Sequence, residues 1–207
     1  MQWTRLITLR TFWLATAMVV LSASQLAGCG TPSRAFVRPA SNDVELGRTQ
    51  YSDIVAKYGS PSEEYVLGTT KPPLRHVSYT YLRSEEGTVM PGIVPVRSIA
   101  FYFHGDTLVM ESFFSTLKSD HTNFDETLRS KIEKGKTTLS EVVALLGRPA
   151  QRSIDPLGRN KDRQKMIGYH FPTVTDSILS KTMDKQLTIF IGADDIVTDV
   201  QYEVRAR

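Results

Sequence analysis

The stretch GRTQYSDIVAKYGSP, residues 47–61, returns as GKTTLSEVVALLGRP at residues 135–149, so the chain writes one local structure twice at an offset of 88. Gly47/Gly135, Thr49/Thr137, Ser52/Ser140, Val55/Val143, Ala56/Ala144, Gly59/Gly147 and Pro61/Pro149 are identical. Asp53/Glu141 and Ile54/Val142 keep the charge or the apolar character. Each copy reads as a short amphipathic helix. Tyr51, Ile54, Val55 and Tyr58, like Leu139, Val142, Val143 and Leu146, recur at helical spacing and make one apolar stripe. Thr49 and Thr137 are the expected N-caps, with an acid in the first turn. Gly59 and Gly147 supply the expected left-handed residue at the C-terminal end, and Pro61 and Pro149 prevent continuation.

The offset persists downstream. IAFYFHGDTLVMESFF, residues 99–114, and LTIFIGADDIVTDVQY, residues 187–202, share an alternating pattern with Asp106 and Asp194 between two apolar runs, the pattern of a β-hairpin. Alternation turns Ile99, Phe101 and Phe103, and Leu187, Ile189 and Ile191, to one face. The tyrosine strand VSYTYL precedes the first hairpin and MIGYHF the second, with Tyr81 matched to Tyr169 by the same offset. NFDETLRSKIEKG, ahead of the second copy, reads as a further helix, and residues 83–96 and 171–185 read as the longest loops. Each unit is therefore expected to be α+β, with helices packed on a three-stranded antiparallel sheet.

The G-x-T…V…L-G-x-P helix, the tyrosine strand and the F-x-x-D-x-L-V hairpin together resemble the SmpA/OmlA, or BamE-like, lipoprotein family, here as two tandem copies. The resemblance implies an ααβββ domain at residues 43–117 and another at 122–207. It also implies a role beside the machinery that inserts β-barrels into the outer membrane. Tandem copies of a related ααβββ unit occur in secreted β-lactamase-inhibitor proteins, which bind an enzyme with a sheet surface formed across both units.

The N-terminus agrees with an envelope protein. Residues 1–28 carry Arg5 and Arg10, no acid, and an apolar run TFWLATAMVVLSAS that is shorter than the roughly 20 residues a membrane span needs. The segment LAGC, residues 26–29, matches a lipobox, which makes Cys29 the expected lipidated residue after cleavage behind Gly28. Cys29 is also the chain's 1 cysteine, so disulfides and thiolate metal sites are excluded. Residues 29–42, rich in Gly, Pro, Ser and Ala, read as a tether, and Gly30 points the sorting toward the outer membrane, facing the periplasm. Removing Arg5 and Arg10 from the 25 basic residues leaves 23 against 22 acids, which gives nucleic-acid binding no electrostatic support.

No constellation for chemistry stands in the sequence. KSDH, residues 118–121, sets Ser, Asp and His side by side, where they cannot converge as a triad. His76, His104, His121 and His170 lack metal-ligand spacing, and no phosphate-cradling glycine loop or dinucleotide fingerprint occurs. The chain is read as a non-enzyme without cofactor or metal, a lipid-anchored protein-binding module of outer-membrane assembly or maintenance. The alternative is an inhibitor-like or ligand-binding lipoprotein that uses the combined sheet surface of both repeats. Two kinds of contact residue are expected. Tyr102 and Phe190, equivalent and on the face opposite the buried set, are candidate partner-binding residues, whereas Arg159, Lys161, Arg163 and Lys165 are candidate contacts for anionic lipid.

Overall fold

The computed structural model describes residues 35–68, 72–82, 85–155, 164–176 and 181–206. The described residues belong to one compact unit. Eight strands, β1 (Glu63–Leu67), β2 (Leu74–Leu82), β3 (Val96–His104), β4 (Thr107–Ser115), β5 (Gln151–Ile154), β6 (Lys165–Asp176), β7 (Lys181–Ile191) and β8 (Val197–Ala206), make a single antiparallel sheet in sequence order. Helices α1 (Tyr51–Tyr58) and α2 (Leu139–Leu146) cover one face.

This corrects the expectation of two ααβββ units, each on a separate three-stranded sheet. Each half supplies four strands and one α-helix, and β4 pairs with β5 across the boundary through Met110↔Ser153, Glu111↔Arg152 and Ser112↔Gln151. The NFDETLRSKIEKG stretch makes only a 3-10 turn, Glu126–Lys131, because Ile132 already returns to extended backbone at φ −93 and ψ 112. The presumed loop at 171–185 is mostly a continuation of the β6–β7 hairpin. Within the stretch read as a tether, Phe36 packs edge-on against Tyr58 at 6.2 Å and Pro39 is buried.

Two cores lie under the helices. Ile54 and Tyr58 of α1 pack on Val77, Tyr79, Ile99, Phe101 and Phe103, while Val142 of α2 packs on Ile167, Tyr169, Leu187, Ile189 and Ile191. Ile99, Phe101, Phe103, Leu187, Ile189 and Ile191 are all fully buried, as the alternation requires. Both halves carry the same bulge, at Tyr102/Phe103 and at Phe190/Ile191, which puts one extra residue into β4 and into β8.

The repeated details differ from the sequence expectation in three places. The helix N-caps are Gln50 and Thr138. Thr49 and Thr137 instead accept the backbone N–H of Glu45 and Glu133 at 2.9 and 2.8 Å. Thr138 and Glu141 form the reciprocal box, with N–H to carboxylate at 2.8 Å and N–H to hydroxyl at 3.2 Å. Gly59 and Gly147 have positive φ, at 81 and 80, but ψ of −157 and −167, so they occupy extended mirror-image backbone rather than the left-handed helical well. That geometry presents each glycine carbonyl to a core tyrosine. Tyr79 donates to Gly59 at 2.9 Å and Tyr169 donates to Gly147 at 2.8 Å. The counterpart of Tyr169 is thus Tyr79, not Tyr81, because the loop between the first two strands is longer in the second half.

Candidate functional site

Opposite the helices, cross-strand pairing lines up one residue from every strand. Tyr65, His76, Tyr102, Met110, Ser153, Met166, Phe190 and Asp199 follow one another in register from β1 to β8. At about 4.8 Å per strand the row is about 34 Å long. His76 lies between two rings, 4.2 Å from Tyr65 and 4.8 Å from Tyr102, and desolvation holds its imidazole below the ordinary value. Tyr102, Met110, Met166 and Phe190 are half-buried and Tyr65 is exposed. Tyr102 and Phe190 occupy equivalent positions on this open face. The halves meet edge to edge, so neither ring is sandwiched between them.

The neighbouring row is built from Glu63, Ser78, Ala100, Ser112, Gln151, Gly168, Thr188 and Gln201. Its centre has little side-chain bulk. On its far side stand Phe114 and His170, whose rings are 5.6 Å apart. The result is a shallow floor flanked by aromatic groups, with carboxylates of Glu63 on β1 and of Asp199 and Glu203 on β8 toward its two edges.

The other candidates fare differently. Lys165 donates to Asp195 at 2.6 Å in a pair whose side chains are 42% and 54% exposed. Arg159, Lys161, Arg163 and Cys29 lie outside the described residues. Gly59, Pro61, Gly147 and Pro149 frame the helix ends, and the Pro149 carbonyl accepts from Arg38. In the KSDH segment Asp120 is drawn away to Arg97 at 2.6 Å and to the Ser115 hydroxyl at 2.6 Å, where it holds a buried cation.

Sequence reasoning missed two arrangements. The first is a repeated anchor. Arg97 and Lys185, an offset of 88, each send a buried cation to the carbonyl of a phenylalanine at the same offset, Phe36 at 2.7 Å and Phe124 at 2.5 Å. Lys185 also meets Glu126 at 2.5 Å, and that hydrogen bond holds the Glu126 carboxyl below its ordinary value. The shared offset was the available signal.

The second arrangement lies on the helix side where the halves join. Glu111, whose side chain is 1% exposed, receives Arg152 at 2.8 Å and has Arg148 at 3.8 Å. The Arg38 guanidinium stacks on Phe113 at 4.7 Å. Burial, and then the nearby Arg148, lower the Arg38 guanidinium to about 10. Desolvation lowers Arg148 too, against the opposing pull of Glu111.

No protein-family model matches the chain, and no curated protein does. One solved crystal structure is similar, that of a "putative beta-lactamase inhibitor protein" from Streptococcus mutans. The likeness has 13% identity and a TM-score of 0.43, over 78% of this chain and 91% of that one.

Proposed function

We propose that this chain is a non-catalytic binding protein, lipid-anchored through Cys29 in the bacterial envelope, whose open sheet face recognises a protein partner. The supporting observation is the cross-strand row, which draws Tyr65, His76, Tyr102 and Met110 from one half and Met166 and Phe190 from the other. Aromatic residues and methionine are the types enriched where proteins meet. Three rows, spaced about 6.8 Å apart along the strands, give a face of roughly 700 Å², close to the about 800 Å² each partner contributes to an ordinary complex. Small ligands, by contrast, favour enclosed clefts. The acidic groups toward the two edges, Glu63, Asp199 and Glu203, suit an apolar ridge with basic flanks.

The test substitutes Tyr102→Ser and Phe190→Ser together in the full chain, followed by detergent extraction, co-purification and thermal melting. Loss of the co-purified protein with little change in melting supports the reading. Retention of the same partner at wild-type yield overturns it. The identity of what is lost sorts the two classes of partner: subunits of barrel assembly for an envelope-assembly role, a single soluble enzyme for an inhibitor.

A further inference from the structure

At the join between the halves, positive charge exceeds what the fold neutralises. Arg148 and Arg152 meet Glu111, and Arg38, which donates to the Pro149 carbonyl and stacks on Phe113, lies near enough to feel the charges of all three. Two other acids act on the cluster from farther off and are already engaged: Asp43 takes Lys57 at 2.8 Å, and Asp120 takes Arg97 at 2.6 Å, a cation that Glu86 also approaches at 3.8 Å. Counting three guanidinium groups against one carboxylate leaves a local excess of about two positive charges. Such an excess is costly in a partly dehydrated place.

Holding the halves together does not account for it. The Glu111–Arg152 pair already spans β4 and β5 within the strand ladder. Arg148 Nη2, at 3.8 Å from Glu111, is too far for a hydrogen bond, and it is buried without a hydrogen-bond partner. The Nε atoms of Arg38 and Arg152 are in the same condition. The site nevertheless borders solvent, since the Arg148 and Arg152 side chains taken whole are 31% and 25% exposed.

The repeat sharpens the point. At the matching positions of the other half stand Glu126 for Arg38, Ser60 for Arg148, Glu64 for Arg152 and, one residue further on because the β7–β8 turn is one residue longer than the β3–β4 turn, Val200 for Glu111. All four charged groups are therefore particular to the join.

We infer that the join binds an oxyanion, a phosphate or carboxylate group, between Arg38 and Arg148 with Arg152 behind it. Guanidinium groups present paired N–H donors that match such a group in geometry, and an anion there supplies both the missing acceptors and the missing charge. Glu111 keeps Arg152 in place and limits the site to about one anion.

The experiment is thermal unfolding of the full chain in detergent against inorganic phosphate, with ionic strength matched by sodium chloride. A parallel arm uses bicelles of phosphatidylcholine with and without phosphatidic acid. Saturable stabilisation is expected in at least one arm, with phosphate alone indicating a free anion and phosphatidic acid alone indicating a lipid headgroup. Arg148→Gln, which breaks no hydrogen bond to Glu111, should weaken it at least tenfold. Lys136→Gln, an exposed lysine remote from the join in sequence, should leave it unchanged. If Arg148→Gln does not fold, Arg38→Gln takes its place with the same expected loss. Stabilisation no greater than with chloride in both arms, or a full response in the arginine variant, overturns the inference.

Discussion

Replacing Gly147 by alanine separates backbone strain from steric clash. A Cβ added at Gly147 meets nothing within 4 Å, so packing has no objection to the methyl group. The backbone does, because φ 80 with ψ −167 is a combination essentially reserved for glycine. Holding an alanine there costs about 1–3 kcal/mol. The less flexible unfolded chain returns about 0.4–1 kcal/mol. Mid-range values leave a net loss of about 1.3 kcal/mol, and at about 2–4 °C per kcal/mol for a domain of this size the melting temperature falls by about 3–5 °C. If the backbone relaxes to avoid the strain, the Gly147 carbonyl moves away from the Tyr169 hydroxyl, now 2.8 Å away, and a hydrogen bond worth about 1 kcal/mol goes with it. Differential scanning calorimetry of Gly147→Ala beside Ser60→Ala, an exposed position one residue beyond the matching helix end, supplies the assay. The serine variant should stay within about 0.5 kcal/mol of wild type. A Gly147→Ala protein that melts at or above the wild-type temperature refutes the reasoning, since chain entropy would then be the only effect present.

Three further outcomes can be checked. Glu126→Gln should lower stability at neutral pH and converge on wild type in acid: Lys185 holds this carboxyl below its ordinary value of 4.5, so the contribution is complete above that value and disappears as pH falls through the lowered one. Tyr169→Phe, read by denaturant unfolding, should cost about 1 kcal/mol for the lost bond to Gly147, because the ring stays in place at 2% exposure. Cys29→Ser should abolish incorporation of radiolabelled palmitate, and undiminished labelling would remove the lipid anchor from the proposed function.

The alternation in β3 and β7 is strong enough to place six buried side chains and the two outward rings from the sequence alone, because a strand with one buried face has no freedom of register. β1 and β5 carry no such signal. EEYVL lies wholly exposed at an edge, and QRSI is half-buried throughout, so neither alternates. Their absence from the reading is what turned one sheet into two. The join escaped for another reason: Arg152 finds Glu111 across 41 residues, and no local pattern encodes a contact that depends on which edge meets which. The row on the open face was half legible, since Tyr102 and Phe190 follow from alternation whereas Tyr65, Met110 and Met166 become neighbours only once the strand order is known.

Because β5 corresponds to β1 and β8 to β4, the join is a head-to-tail contact, and the chain's two free edges are of the same two kinds. A further copy could in principle add its β1 to β8, and another after it, in an open-ended polymer. At the join, the contact facing the helices is Glu111 against Arg152. Repeated between molecules, the same place would set Val200 against Glu64, whose carboxylate, approached by Arg75 of its own sheet at 3.8 Å, would be dehydrated beside a valine with no guanidinium across the contact. Glu64 already has a role at its own edge, accepting from the Tyr51 hydroxyl at 3.1 Å. One exchange of charge between the two halves thus lets the sheet extend once, inside a single chain, and stop.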